Sequence, residues 1–368
     1  MKAMTRTAVA ATVVAGFALL VLPTAVRADT HSDLQAVDSD GNLTYYKVNA
    51  DPEDPGNVVV LQGICLNNPE DMLDPASQWQ IFVQGEGDDL AATAAWAGKF
   101  YQASAWEDEL ARLNGSGFRE GDRVRITGFA MSTGGKANIN ERHSPAPQMN
   151  FTVELLDAGV GLPAPEMTTI AEMITFDQTR QIGGERYQCR RIRIDNVVLR
   201  GGDWGANQYL TIADADDPDN PARQMPLKLC NVDFGSQAPA TWFHVVGLGD
   251  QEPTFGASGP IPGTGLVDGY QLWVTRRDGI IVPGDCNLDG AVNDADLSLL
   301  LNNWQQPGEW AQGEFDGDAP VSDADLSLML SNWGFGCGGE PGGTPPVPEP
   351  ATIFLLASGA LALRRKRK

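Results

Sequence analysis

The chain has 368 residues, with 26 Lys and Arg against 48 Asp and Glu, a formal net charge of −22. That length implies two or three domains, and 42% hydrophobic against 20% charged residues is enough for packed cores, which excludes global disorder. The acidic balance opposes phosphate backbones and anionic lipid surfaces, so the composition excludes a typical nucleic-acid binder and a multi-pass membrane protein.

At the N-terminus, Lys2 and Arg6 precede an apolar run from Ala8 to Leu22, and Val26-Arg27-Ala28 follows it. A basic head, 15 apolar residues and a small residue before the cut predict a secretory signal peptide over 1–28, cleaved near Ala28–Asp29. A membrane-spanning helix would need roughly 20 apolar residues.

Residues 30–283 carry short strand-like runs separated by turns. They include Val58–Leu61, Trp79–Val83, Arg123–Gly128, Ile192–Leu199, Tyr209–Ile212, Trp242–Gly247 and Tyr270–Val274. Apolar and polar residues alternate in several of them, which predicts half-buried antiparallel strands. Helices are expected at Trp106–Leu113 and near Thr169–Ile174, and Pro163 and Pro165 mark a boundary between β domains over 29–162 and 163–283. The strand order repeats: the run ending Gln84-Gly85-Glu86-Gly87-Asp88-Asp89 has a counterpart ending Asp214-Ala215-Asp216-Asp217. With Gly121-Asp122-Arg123-Val124-Arg125-Ile126-Thr127-Gly128 near the third strand, the unit resembles OB-fold barrels of secreted bacterial proteins. The resemblance implies a mainly β chain of two tandem OB-like barrels; a single β-sandwich is the alternative.

Five cysteines in an exported chain are disulfide candidates. Cys189 and Cys230 share the second β domain, Cys286 and Cys337 bracket the segment that follows, and Cys65 is left as a buried free thiol.

Residues 284–337 contain a duplication at an offset of 29 residues. Asp285, Asn287, Asp289, Asn293 and Asp296 occupy positions 1, 3, 5, 9 and 12 of a calcium-loop spacing, with Gly290 at position 6 and the Ala291 carbonyl at 7. The second copy places Glu314, Asp316, Asp318, Ser322 and Asp325 at the same positions, with Pro320 at 7. The segment holds ten carboxylates and no Lys or Arg, so a hard cation, calcium, is the expected cofactor. Leu297, Leu300, Leu301 and Trp304, repeated as Leu326, Met329, Leu330 and Trp333, predict one short amphipathic helix after each loop. This small α unit resembles the type I dockerin domain. The resemblance implies a cohesin-like partner, met through loop positions 10 and 11, here Asp294-Ala295 and Asp323-Ala324. Glu314 at position 1, and Ala319 where a positive φ favours glycine, predict a weaker second site.

A Pro/Gly linker over 338–350 ends in Val347-Pro348-Glu349-Pro350, followed by apolar residues to Leu363 and the cluster Arg364-Arg365-Lys366-Arg367-Lys368. This tail resembles the PEP-CTERM sorting signal, also named the ice-binding protein C-terminal domain; no flat Thr array suited to ice is visible. The resemblance implies a Gram-negative host, export, transient inner-membrane anchoring by residues 351–368, cleavage by an exosortase-like protease, and a setting rich in extracellular polysaccharide. Removing both end signals takes away eight cations and no acid, so the net charge moves from −22 to −30.

Signs of catalysis are few. His31, His143 and His244 have no zinc-ligand spacing, and no nucleophile elbow or phosphate loop is present. Asp88-Asp89 and Asp216-Asp217 could flank a sugar bond, and Trp96, Trp106, Trp204, Trp242 and Trp273 could stack on sugars, yet turns and cores use such residues more often. The expected function is that of a non-enzymatic exported envelope or matrix protein with a binding and docking role; a secreted polysaccharide-acting hydrolase is the alternative.

Overall fold

The computed structural model describes residues 29–72, 79–97, 117–140, 151–252, 266–318 and 320–337. The expected helix at 106–113 and both end signals lie outside them.

The chain is mainly β. Its first sheet contains β1 (Val59–Cys65), β2 (Trp79–Gln84), β3 (Ala92–Ala97), β4 (Arg123–Gly128), β5 (Ala130–Thr133), β6 (Lys136–Asn140) and β7 (Thr152–Asp157), in the order β5-β6-β3-β2-β1-β4-β7. Alternation sets the faces: Val124 and Ile126 of β4 are fully buried, while Arg123 and Arg125 are not. Only Phe129 separates β4 from β5, so one run of chain pairs with β1 at its start and β6 at its end. Gly128 permits this course, because a Cβ there would meet Phe151 Cβ at 2.6 Å and Ile139 Cγ2 at 2.7 Å. Leu61, Ile81, Val83, Ile126, Ile139 and Val153 fill the inside.

The second sheet contains β8 (Glu166–Thr168), β9 (Arg191–Gly201), β10 (Tyr209–Asp214), β11 (Gln224–Leu229), β12 (Phe243–Gln251), β13 (Tyr270–Val274) and β14 (Ile280–Ile281). Long β9 pairs with both β10 and β12, while β11 and β13 pair in parallel. The five strands β9-β10-β11-β13-β12 therefore close into a barrel. Asn196, at φ 53°, sits where the β9–β12 register shifts, and Asn tolerates that left-handed bend. The closed ring rules out half of an open sandwich for this sheet. Short helices decorate the β domains: α1 (His31–Leu34), α2 (Ile170–Met173), capped by the Thr169 hydroxyl, and α3 (Gly183–Tyr187).

The two β units share an apolar seam in which Phe82, Ala92 and Ala94 meet Leu248 and Trp273. Beside it the Lys136 ammonium binds the Asp250 carboxylate, with 3% and 0% of the two side chains exposed.

The last elements are α4 (Asp294–Asn302) and α5 (Asp323–Ser331). The repeat led us to expect the two helices to bury their apolar faces on each other. Their core is instead continuous with that of the second barrel: Val292, Leu300, Phe315 and Met329 join the same cluster as Ile194, Leu227 and Val245. Trp204 stacks edge-on against Phe335 and Phe234. Asn332 donates to the Pro283 carbonyl at 2.9 Å and accepts from the Ala240 N–H at 3.0 Å. Two helices of nine residues cannot exclude water alone, so the barrel end supplies the missing surface.

Candidate functional site

The two 12-residue loops, 285–296 and 314–325, repeat each other bond by bond. In the first, Asp296 Oδ1 accepts the N–H groups of Cys286 (2.9 Å) and Asn287 (3.3 Å), and Oδ2 accepts that of Asn293 (3.0 Å). In the second, Asp325 Oδ1 accepts from Phe315 (2.7 Å) and Asp316 (3.4 Å), and Oδ2 from Ser322 (2.8 Å). The carboxylate at position 12 thus ties the start of its loop to the helix that leaves it, and both carboxylates are fully buried. Asn293 and Ser322 cap the helices by accepting the N–H groups of Ala295 and Ala324, completing capping boxes at both starts.

Position 1 differs between the copies. Asp285 is 1% exposed and accepts from Asp289 (3.1 Å) and Gly290 (2.9 Å). Burial, reinforced by Asp296 and Asp289, pushes its carboxyl up to about 7. Gly290 at φ 80° packs on Arg277, where a Cβ would lie 2.6 Å from Cγ. Glu314 reaches instead to the Gly317 N–H at 2.8 Å, and burial raises its carboxyl too. Position 4 is left-handed in both loops, as Leu288 (φ 57°) and as Gly317 (φ 80°), so the second loop avoids strain that the first carries.

Oxygens of Glu314, Asp316 and Asp325 lie within 4.8 Å of one another. In the first loop Asn287 holds position 3 as an amide, donating to Asp289 Oδ2 at 2.9 Å, so only two carboxylates stand at the equivalent places. The converging oxygens are hard donors with no cation among the residues of the segment, which fits a divalent ion of the calcium type. Asp318 is exposed, its N–H bonded to Asp316 Oδ1, and Pro320 is exposed as well. Ala319, on which the expectation of a weaker second site partly rested, lies outside the described residues.

The expected disulfides Cys286–Cys337 and Cys189–Cys230 are corrected: all five cysteines are free. Cys286 Sγ faces the Asp296 carbonyl and Cys337 Sγ the Val292 carbonyl, each at 3.6 Å, so the two thiols serve different carbonyls. Cys189 and Cys230 pack as small apolar groups in the seam between the barrels.

Most other singled-out residues serve the fold. Asp89 accepts the N–H groups of His31 (2.7 Å) and Ser32 (3.0 Å), and Asp217 accepts from Asn220 (2.8 Å) in a turn. His31 is buried between Thr93 and Gln62. His244 lies 3.0 Å from Asp195 under Trp242 and Trp310. Burial lowers the basicity of both imidazoles.

One concavity escaped sequence reasoning. An open cleft of about 370 Å³ lies where both barrels meet the first loop, lined by Asn68, Asp71, Glu120, Arg276, Asp278 and Asp289 among others. Burial raises the carboxyls of Asp71 and Glu120, while Arg276 pairs with Glu120 and with Asp278. These residues come from three remote stretches, and none belongs to a motif.

Among the described residues no helix is long and apolar enough to cross a membrane. No curated protein matches the chain at a significant level. Residues 346–368 match the family described as the PEP-CTERM protein-sorting motif, a match that takes in Val347, Pro348, Glu349 and Pro350. The chain therefore carries a PEP-CTERM sorting signal, the mark of an exported protein sorted to the cell envelope, with a tail of the kind that exosortase recognises.

Proposed function

We propose that the mature protein is a non-enzymatic envelope or matrix component of a Gram-negative cell. Its β barrels bind a ligand, and its helical pair is a calcium-stabilised, dockerin-like unit. The observation that carries the calcium reading is the convergence of Glu314, Asp316 and Asp325. A bound dication would relieve their mutual repulsion. Asp285, Asn287, Asp289, Asn293 and Asp296 would hold a second ion, with the Ala291 carbonyl. Asp318, Ser322 and the Pro320 carbonyl would complete the second loop's set.

The strand order β9-β10-β11-β13-β12, with its parallel β11–β13 pair, supports an OB-like reading of the second barrel. The first sheet has the same connectivity if β4 and β5 are taken as one bent strand. The exposed pairs Asp294-Ala295 and Asp323-Ala324 remain available to a cohesin-like partner. Thermal melts of the mature protein with calcium and with chelator test the reading. A melting temperature that ignores chelator would remove its metal.

A secreted polysaccharide hydrolase is the second reading, favoured by the two carboxyls, Asp71 and Glu120, that burial raises in the one open cleft. Glycan hydrolysis that Glu120→Gln abolishes would decide for it.

A further inference from the structure

Three neighbouring strands of the first sheet bring a tryptophan and three side-chain amides onto one face. In the β2–β3 register Gln80 lies opposite Trp96 and Phe82 opposite Ala94. In the β3–β6 register Trp96 lies opposite Asn140 and Ala94 opposite Asn138. Residues opposite one another across strands share a face, so the rows read Gln80–Trp96–Asn140 and Phe82–Ala94–Asn138.

The amides are buried and lack partners. Asn138 is 0% exposed, and neither its Oδ1 nor its Nδ2 meets a hydrogen-bonding group. Asn140 Oδ1, on a residue 7% exposed, and Gln80 Nε2 are in the same condition. Native interiors seldom leave such groups unmet, because each has given up water for nothing in return. Four unmet atoms around one indole mark a place built for something that both donates and accepts.

We infer that this face of the first barrel is a binding site for a neutral glycan chain. An amide offers donor and acceptor together, matching a hydroxyl, which does the same. Trp96 is half-buried and provides an apolar platform for the C–H face of a sugar ring. Neither row contains an ionisable side chain, and the nearest charged residue on this face of β6, Lys136, is neutralised by Asp250. A polyanion such as a nucleic acid would find no counter-charge here, and the chain's net charge of −22 would repel it. The inference rests on the binding role proposed for the barrels, but not on the calcium reading.

Calorimetric titration of the mature protein with xylan, mannan, β-1,3-glucan and cello-oligosaccharides should give a saturable isotherm with at least one of them. Trp96→Ala and Asn138→Leu should each weaken it tenfold or more. Without glycan, Asn138→Leu should melt at the parent temperature or above it, since it deletes two unmet polar atoms. Should that variant fail to fold, Gln80→Leu carries the same test. The response to calcium should be the parent's in every variant, which separates failure here from failure of the helical-unit reading. Absence of any isotherm, glycan binding that ignores the substitutions, or saturable binding of poly(dT) or heparin in place of neutral glycan would overturn the site. A lower melting temperature for Asn138→Leu, with glycan affinity intact, would assign the amides to ordered water only and overturn it too.

Discussion

Lys136 of the first barrel and Asp250 of the second form an ion pair buried on both sides, flanked by Glu252 at 3.6 Å from the ammonium and by the Gln271 amide at 3.3 Å from the carboxylate. The pair ties the two barrels at a seam that is otherwise apolar. Lys136→Met, which strands the Asp250 charge, should cost about 3–5 kcal/mol of unfolding free energy. The double change Lys136→Met with Asp250→Leu should recover most of that loss, because an apolar pair needs no compensation in this setting. Denaturant titration of the three proteins checks both statements; a double variant no better than the single would refute the account.

Acidification should strengthen one element of the second barrel. Glu185 is fully buried, accepts from the Tyr270 hydroxyl at 2.8 Å, and has its carboxyl pushed up to about 7 by burial. A folded-state value above the unfolded one means the folded protein holds the proton more tightly. The contribution is therefore present in full below the unfolded value and is lost as pH rises through about 7. Between pH 5 and 8 the parent should lose on the order of 2–3 kcal/mol relative to Glu185→Gln. Equal pH profiles for the two proteins would show that Glu185 does not titrate in this range.

Calcium should stabilise the mature protein by about 2.7 kcal/mol at a hundredfold excess over its dissociation constant. Asp316 is exposed in the second loop, so Asp316→Ala should leave the chelated melting temperature unchanged or slightly raised while shrinking the calcium response. Calorimetric melts of both proteins with calcium and with chelator make the comparison. An undiminished response in Asp316→Ala would place the ion elsewhere.

The native thiols should be inert. Burial pushes Cys65, Cys189, Cys230 and Cys286 up to about 12, so almost no thiolate exists at neutral pH. Titration with a thiol reagent should find at most Cys337, the least buried, in the folded protein, and all five after unfolding without reductant. Recovery of a Cys286–Cys337 peptide from an unreduced digest would contradict the free thiols.

The mainly β class and the sorting tail were legible because their signals are local. Alternation along Arg123–Gly128 already assigns two faces to a strand, and Pro348-Glu349-Pro350 followed by apolar and then basic residues is a contiguous pattern. The two loops were legible as a spacing, since a 12-residue turn places its own alternate side chains. Folding decided what that spacing left open. It gathered Glu314, Asp316 and Asp325, and it spent both position-12 carboxylates on backbone donors. Partners remote in sequence could not be read in advance. Asn332 reaches Pro283, Lys136 reaches Asp250, and Asn138 shares a face with Trp96 only through strand register. The helical pair illustrates the difference most clearly. Periodicity marked its apolar face, but whether another helix or a barrel end would cover that face depended on how much surface the rest of the chain could supply.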